Sequence, residues 1–237
     1  MNARVIAFVF ARGGSKGIPR KNLQDLGGKP LIAHSIACAL GIPEVERVVV
    51  STDDPEIAEV ARFYGAEVPF IRPAELASDS SSEHAAWQHA VAEMTRQTGS
   101  FDILLSLPTT SPLRAPEDVL NCLREIESHP EADLVLTVQK AQRSPYFNMV
   151  QRDEEGFCHL VCGEGGVIRR QDAPEVYDIT TVAYAARVRF VEHSNSLFEG
   201  RLRCVEVPRE RAVDIDEPLD LEWARFLWGQ SRERKNF

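Results

Sequence analysis

Short runs of apolar residues alternate along the chain with segments whose apolar residues recur at helical spacing. The runs predict buried strands at Val5–Phe10, Arg47–Val50, Val68–Ile71, Ile103–Leu107, Leu134–Val138, Thr181–Ala186 and Leu202–Val207. The periodic segments predict helices over Pro30–Leu40, Pro55–Tyr64, Ser82–Gln97, Pro116–Glu127 and Leu219–Trp228. Strands that are separated by helical segments of about 10–15 residues are typical of parallel sheets with right-handed crossovers. The pattern therefore predicts an α/β protein with a mostly parallel sheet.

This alternation breaks between residues 139 and 178, where the sequence becomes polar and contains short hairpin-like pieces such as Phe157–Val161. We interpret residues 139–178 as an insertion that packs outside the sheet. Residues 1–138 and 179–229 then form the main domain, and residues 230–237 form a polar C-terminal tail.

The composition is that of an ordinary globular chain that can bury a large core, with 43% hydrophobic and 27% charged residues. The formal charge of −9 argues against a protein that covers nucleic acid, because binding along a phosphate backbone needs a net basic face. The five cysteines are odd in number and lack C-x-x-C spacing, which indicates reduced thiols rather than a disulfide framework or a zinc site. Since the sequence has no apolar run of 18 residues and no secretory leader, we expect a cytoplasmic protein that does not interact with membranes.

The most informative local feature is a basic, glycine-rich loop after the first predicted strand, called the early loop below. It extends from Ala11 to Asn22 and contains three glycines and four cations: Arg12, Gly13, Gly14, Lys16, Gly17, Arg20 and Lys21. Glycines let backbone N–H groups approach an anion and the cations neutralise its charge, so the loop predicts a polyphosphate site. It has neither the Walker A spacing nor the G-x-G-x-x-G spacing of dinucleotide oxidoreductases. The alternative interpretation is a mobile, solvated loop without a ligand.

Two acidic residues near the end of the chain, called the acidic pair below, form the second candidate site. Asp214 and Asp216 flank Ile215 after the last predicted strand, and alternate residues of an extended segment point the same way. Two carboxylates on one face suit Mg²⁺, which keeps most of its waters and bridges a protein to phosphates. The alternative for Asp216 is a capping role, because Asp216-Glu217-Pro218 also has the pattern of a helix start.

These features belong to a longer set of motifs that resembles a known family. The set comprises Ala11–Lys21, Gly27–Ile32, Val48–Asp53, Gly65–Phe70, Arg72–Ala77, Thr110–Arg114 and Asp214–Asp216. In these motifs, and over nearly its whole length, the chain resembles sugar nucleotidyltransferases and more narrowly the N-acylneuraminate cytidylyltransferases. The resemblance implies a Rossmann-like three-layer sandwich of the nucleotide-diphospho-sugar transferase type. It also implies a homodimer in which the insertion is the dimerisation element.

The activity that the resemblance implies is the joining of CTP and a 3-deoxy-2-keto acid sugar to give a CMP-sugar and pyrophosphate, with Mg²⁺ as cofactor. The nucleotide-binding residues that it implies are Arg12, Gly13, Gly14, Ser15, Lys21, Asn22, Arg72 and Ser82. The catalytic residues that it implies are Arg12, Lys21 and Asp214. The metal ligands that it implies are Asp214 and Asp216.

For the sugar, the resemblance implies contacts from Arg170, Tyr184 and Phe198, and core packing is the alternative for the two aromatic residues. The sugar side also departs from the family pattern. Pro108 stands where the family has a glutamine, Thr180-Thr181 stands for Asn-Gly, and an expected lysine is absent around Ser144–Asn148.

These departures do not affect the CTP motifs. They leave the identity of the acidic sugar undecided between sialic, legionaminic, pseudaminic, deaminated and octulosonate-like acids. Two alternative functions remain beside the cytidylyltransferase. One is a nucleotidyltransferase for another sugar class, and the other is an inactive nucleotide-binding homologue.

Overall fold

The computed structural model describes residues 3–78, 81–163 and 169–235, apart from the side chains of residues 170 and 232–235. Its main strands are β1 (Val5–Phe10), β4 (Val45–Ser51), β5 (Ile103–Ser106), β6 (Leu134–Lys140), β9 (Tyr177–Arg187) and β10 (Leu202–Glu206). Within this described part of the chain, these six strands form one sheet in the order β10-β6-β9-β5-β1-β4. Short pairs outside it are β2 (Asp25–Leu26) with β3 (Lys29–Pro30), and β7 (Val150–Arg152) with β8 (Cys158–Leu160).

Neighbouring strands of the sheet are parallel, except that β9 runs antiparallel to both β5 and β6. The prediction of a mostly parallel α/β sheet is confirmed. Because β9 runs in the opposite direction, β6 ends at Lys140 directly beside Tyr177, where β9 begins. The chain between these two residues therefore leaves and rejoins the sheet at one edge, which is the edge where β1 and β5 also end.

Helices cover both faces of the sheet. On one face pack α1 (Leu31–Leu40), α2 (Pro55–Phe63) and α4 (Pro116–Ser128), and on the other pack α3 (Glu83–Thr98) and α5 (Val188–His193). The central strand β1 serves both cores, since Val5, Ala7 and Val9 face the first group of helices while Ile6 and Phe8 face the second. A strand that is buried on both faces has a continuous apolar sequence, which is why the apolar runs predict these strands.

The last helix, α6 (Pro218–Lys235), packs beside the early loop rather than on the sheet. A separate apolar cluster joins them and consists of Ile18, Leu26, Leu31, Ile215, Leu221 and Ala224. Ile18 belongs to the early loop and Ile215 lies between the two residues of the acidic pair, so burial of this cluster brings both candidate sites together. The N–H of Ile215 also donates to the carbonyl of Thr110, 2.9 Å away, which ties the acidic pair to the loop after β5.

The structure differs from the sequence prediction in several places. The strand predicted at Val68–Ile71 is wrong: Glu67 alone forms a bridge, with Val49, and Pro69 has no N–H to continue a ladder. Helix α6 continues through residues 230–235 of the predicted tail. Strands β6 and β9 extend into the ends of the predicted insertion. Of the helices that the structure describes, none is long and apolar enough to cross a membrane.

Candidate active site

A cavity of about 530 Å³ opens at the carboxyl edge of the sheet. It is bounded by Phe10 at the end of β1, by Thr109 in the loop after β5, and by Glu83 at the start of α3. Open α/β sheets bind their ligands at this edge. The predicted site residues that line the cavity are Arg12, Ser15, Lys21, Asn22, Arg72, Ser82 and Asp216. The fold therefore collects the triphosphate and cytidine residues predicted from distant parts of the chain, together with one member of the acidic pair.

The glycines of the early loop differ in what surrounds them. The N–H of Gly13 donates to Asp53 over 3.0 Å, and a Cβ on Gly13 would come within 2.6 Å of a carboxylate oxygen of Asp54. A Cβ on Gly17 would lie 2.1 Å from the backbone carbonyl oxygen of Asp216, whereas the space around Gly14 is open. Gly13 and Gly17 therefore permit close contacts within the protein, and the N–H of Gly13 is already used by Asp53.

The four cations of the early loop point in two directions. Arg12, Lys16 and Lys21 line the cavity. Arg20 turns away from it, in the left-handed backbone region at φ 53°, and forms ion pairs with Asp54 and Glu56. The Arg20 guanidinium holds the pKa of Asp54 below its usual range, mainly through their hydrogen bond. Arg20 thus fixes the loop to the start of α2 and leaves the other cations to face a ligand.

Asn22 braces the early loop from inside. The residue is buried, its side-chain N–H donates to the carbonyl of Arg12 over 2.8 Å, and its side-chain oxygen accepts a hydrogen bond from the Thr109 hydroxyl. The amide group carries a second N–H. Asn22 therefore sets the position of Arg12 and can also donate to a ligand in the cavity that it lines.

Arg72 is buried and lines the cavity. Its Nε donates to the Ser51 hydroxyl over 3.1 Å, its Nη2 donates to the Ser51 carbonyl, and its guanidinium lies 5.7 Å from the centre of the Phe10 ring. Burial lowers the pKa of Arg72 to about 10, so the group remains charged near neutral pH. Ser51 thus accepts hydrogen bonds from two of the three guanidinium nitrogens of Arg72, and Arg72 also lines the cavity.

Lys21 and Asp216 join the two candidate sites directly. The Lys21 ammonium lies 2.9 Å from a carboxylate oxygen of Asp216. The capping role considered for Asp216 falls instead to Asp220, whose side chain accepts hydrogen bonds from the N–H groups of Asp216 and Glu217. The carboxylate of Asp216 is therefore directed to the cavity rather than to the helix.

Asp214 lies on the other side of buried Ile215 and lines a neighbouring cavity. Its segment is tethered by Arg211, whose guanidinium donates two hydrogen bonds, of 2.7 and 2.8 Å, to buried Asp118. Both members of the acidic pair are exposed. Two exposed carboxylates beside the basic early loop are a donor set that suits Mg²⁺ with its waters. The described residues contain no group of three or more His, Cys, Asp or Glu that could hold a metal, so the pair would need substrate phosphates to complete the coordination.

The residues predicted for the sugar are not brought together in the cavity lining. The Tyr184 ring is buried edge-to-face against Trp87, with ring centres 5.7 Å apart, as the core-packing alternative predicted. Burial raises the pKa of Tyr184, and the carboxylates of Glu83 and Asp214 add to this shift. Phe198 is 69% exposed, so core packing is wrong for this residue. The side chain of Arg170 lies outside the described part of the chain.

At two of the positions that depart from the family pattern, the residue forms hydrogen bonds with other parts of the protein. The carbonyl of Pro108 accepts a hydrogen bond from Arg114, whose burial lowers its pKa to about 10. The hydroxyl of Thr181 is hydrogen-bonded to those of Ser111 and Thr110, at 2.7 and 3.1 Å. These side chains support the loop after β5 from behind, and Thr110 lines the cavity.

Sequence reasoning missed several residues of the cavity, including Phe10, Leu76, Glu83 and Thr109. Glu83 carried a usable signal, because it directly follows Ser82, whose side chain caps α3 by accepting a hydrogen bond from the N–H of Ala85. The first residue of a helix after the cap lies at the edge where ligands bind. The other residues carry no chemical signal that distinguishes them from core or turn positions.

The fold is that of the nucleotide-sugar transferases of the α/β class. The structure superposes on a CMP:2-keto-3-deoxy-manno-octonic acid synthetase complexed with CTP, with a TM-score of 0.72 and 21% identity, over 97% of this chain and 100% of the other. It also matches a 4-diphosphocytidyl-2C-methyl-D-erythritol synthase from Anaerococcus prevotii, with a TM-score of 0.68 and 13% identity, over 95% and 96% of the two chains.

Sequence comparisons narrow this class. A cytidylyltransferase family profile matches residues 6–153. The chain is 32% identical to a pseudaminic acid cytidylyltransferase of Campylobacter jejuni, over 96% of this chain and 97% of the other. It is 31% identical to a CMP-N,N'-diacetyllegionaminic acid synthase of the same species, over 95% of both chains. It is 33% identical to N-acylneuraminate cytidylyltransferase B of Danio rerio, over 92% of this chain and 49% of that longer protein. The chain belongs to the cytidylyltransferase family.

Proposed function

We propose that this cytidylyltransferase joins CTP to a 3-deoxy-2-keto acid sugar of the nonulosonate type, releasing pyrophosphate. The observation that carries the proposal is the contact of Lys21 with Asp216, 2.9 Å apart in a cavity that Arg12 and Arg72 also line. A nucleoside triphosphate in this cavity meets cations for its phosphates and the carboxylate of Asp216 for a metal, with Asp214 two residues away. Relatives named for pseudaminic and legionaminic acid support the choice of sugar class.

The proposed reaction is an in-line displacement at the α-phosphorus of CTP. The anomeric hydroxyl oxygen of the sugar forms the new P–O bond, the bond between the α-phosphorus and the pyrophosphate oxygen breaks, and the hydroxyl proton is released. Such a transfer depends on positioning and on neutralising charge more than on covalent participation by the protein. Lys21 and Arg12 act on the charge that builds up on the departing pyrophosphate, and Ser15 and the open backbone at Gly14 hold its oxygens.

The acidic pair is the proposed Mg²⁺ site, with Asp214 and Asp216 as the protein ligands. A bound magnesium ion would supply charge neutralisation and a fixed orientation for the phosphates. Lys21 is close enough to Asp216 to hold its carboxylate in place when no other cation is bound. The sugar contacts of Arg170, Tyr184 and Phe198, the homodimer and the cytoplasmic location are retained as predictions.

A substrate screen tests the proposal. Purified protein is incubated with CTP, UTP, ATP or GTP, with and without Mg²⁺, against a panel of sialic, legionaminic, pseudaminic, deaminated and octulosonate-type acids, and pyrophosphate release is followed. We expect release that depends on CTP, on Mg²⁺ and on one of the nine-carbon acids. Preference for UTP, or for an octulosonate or a sugar phosphate, would contradict the proposal and support the alternative of a nucleotidyltransferase for another sugar class.

A variant of Lys21 and a control variant of Lys29 separate an enzyme from an inactive nucleotide-binding homologue. Lys21→Ala removes the cation that contacts Asp216, so turnover should fall by at least 100-fold while CTP binding by calorimetry stays measurable. Lys29→Ala, at an exposed lysine outside the cavity lining, is the matched control and should retain wild-type turnover. CTP binding without pyrophosphate release from any acid in the panel would support the inactive homologue.

A further inference from the structure

The cavity has a basic part and an apolar part. Arg12, Lys16 and Lys21 line the basic part, which suits phosphates. The lining also includes the apolar side chains of Phe10, Leu76 and Ala86, of which Phe10 stacks against Trp87 of α3. A nucleotide whose phosphates lie on the early loop therefore places its planar base against this apolar surface, because bases bind in apolar slots with a few aimed polar groups.

Glu83 and Ala86 are three residues apart on α3 and so lie on one face of the helix. The charge of Glu83 also interacts with that of Arg72, whose guanidinium lies over the Phe10 ring. Asp216 and Glu217 line the cavity from the segment beside Lys21. Glu83 is open to the cavity, and among the described residues its carboxylate forms no ion pair. The indole N–H of Trp87 approaches it from one turn further along α3 without forming an aligned hydrogen bond in the described structure. Glu83 is thus a hydrogen-bonding group whose main capacity remains for a ligand.

The base edge of cytosine is complementary to this arrangement. Cytosine carries an exocyclic amine, which donates, next to a ring nitrogen and a carbonyl oxygen, which accept. A carboxylate is the side chain that accepts from a cytosine amine. Arg72 lines the same cavity and is the donor available to the acceptor atoms. Uracil has a carbonyl oxygen where cytosine has its amine, and this oxygen would meet an acceptor.

We propose that Glu83 accepts a hydrogen bond from the exocyclic amine of CTP and so selects CTP over UTP. The proposal deepens the proposed function and rests on CTP being the nucleotide. Burial raises the pKa of Glu83 above its usual range.

The competing role for Glu83 is a contact with the sugar, because its charge is also felt by Tyr184 and Asp214. The two roles are separated by deleting the amine from the nucleotide and the carboxylate from the protein, alone and together. The nucleotides are CTP, UTP and the triphosphate of the pyrimidin-2-one riboside, which is CTP without its amine. The proteins are the wild type, Glu83→Ala and Glu83→Gln, assayed for kcat/KM with the best acidic sugar.

Removal of the amine should lower kcat/KM of the wild type roughly 5- to 150-fold, the range of one specific base contact. In Glu83→Ala the same removal should change kcat/KM less than about twofold. The preference of this variant for CTP over UTP should be roughly 5- to 150-fold lower than that of the wild type. Glu83→Gln should lose much of the CTP preference, because its amide can donate an N–H to the uracil carbonyl oxygen as readily as its oxygen accepts from the cytosine amine. The control is Glu75→Ala, at an exposed glutamate outside the cavity lining, which should match the wild type throughout.

An equal loss in the wild type and in Glu83→Ala on removal of the amine would overturn the proposal. A loss in Glu83→Ala that varies with the acidic sugar and not with the nucleotide would overturn it in favour of the sugar contact. Glu83→Ser, which suits the first turn of a helix, provides the same truncation if Glu83→Ala does not fold. Wild-type protein that uses no CTP with any acid would instead refute the proposed function.

Discussion

Gly17 carries the tightest contact between the early loop and the acidic pair, and a single methyl group there should disrupt the site. The Cβ of Gly17→Ala would lie 2.1 Å from the Asp216 carbonyl oxygen, whereas ordinary van der Waals contact begins at 3.4 Å. The loop and the acidic pair must therefore move apart by about 1.3 Å, the difference between these distances. A misplacement of about 1 Å costs on the order of 100-fold in a reaction that depends on positioning. We expect kcat/KM for CTP to fall by about 100-fold.

The assay is steady-state pyrophosphate release with CTP and the best acidic sugar, accompanied by thermal unfolding. Gly41→Ala is the matched control, since a Cβ at Gly41 meets its nearest atoms at 3.4 and 3.5 Å, and its φ of −83° suits alanine. Its activity should stay within twofold of the wild type, with stability unchanged or raised by up to about 1 kcal/mol. A Gly17→Ala enzyme with wild-type kcat/KM would refute the reasoning, because the early loop could not then lie against Asp216 during turnover.

Further predictions concern the acidic pair, its tether and the anchor of the early loop. Asp214→Asn should raise the Mg²⁺ concentration needed for half-maximal turnover by at least tenfold, measured by metal titration at saturating CTP. Asp118→Ala should lower the free energy of unfolding in urea by about 2–3 kcal/mol, since it removes a buried partner of Arg211 and a helix cap; an unchanged value would show that the tether is not stabilising. Arg20 lowers the pKa of Asp54. The ion pair of these two residues therefore stabilises the folded state fully above about pH 4, the ordinary pKa range of an aspartate, and this stabilisation is lost as the pH falls through the lowered pKa. The difference in unfolding free energy between wild type and Arg20→Met should therefore be constant from pH 7 to 5 and shrink towards pH 3; a constant difference down to pH 3 would contradict this.

The central elements of the fold could be predicted from the sequence because their physical cause is local. A strand such as Val5–Phe10, buried on both faces, must be apolar throughout, and a helix start such as Asp54-Pro55 carries its own cap. The direction of β9 could not be predicted, since its apolar residues would be buried equally in either direction. The strand expected at Val68–Ile71 fails because Pro69 cannot donate to a ladder, which the apolar run alone did not reveal.

The candidate site was predictable where charge and glycine content indicate a ligand, and less so where side chains act through packing. The cations Arg12 and Lys21 carry their chemistry in the sequence. Arg20 points away from the cavity because it forms ion pairs with Asp54 and Glu56. The sequence does not show that the fold brings these two residues near it. Glu83 was missed because a single glutamate at a helix start is common on protein surfaces, and its place in the cavity follows from how α3 packs.

Because β9 runs antiparallel to β6, the segment between Lys140 and Tyr177 begins and ends at two paired residues on the same edge of the sheet. Three kinds of contact hold the two ends of this segment together. They are the pairing of β6 with β9, the hydrogen bond from the N–H of Ala141 to the carbonyl of Val176, and the ion pair of Lys140 with Glu175. The part of the segment between these contacts can therefore become shorter or longer, or change in sequence, without disturbing the pairing of β6 with β9.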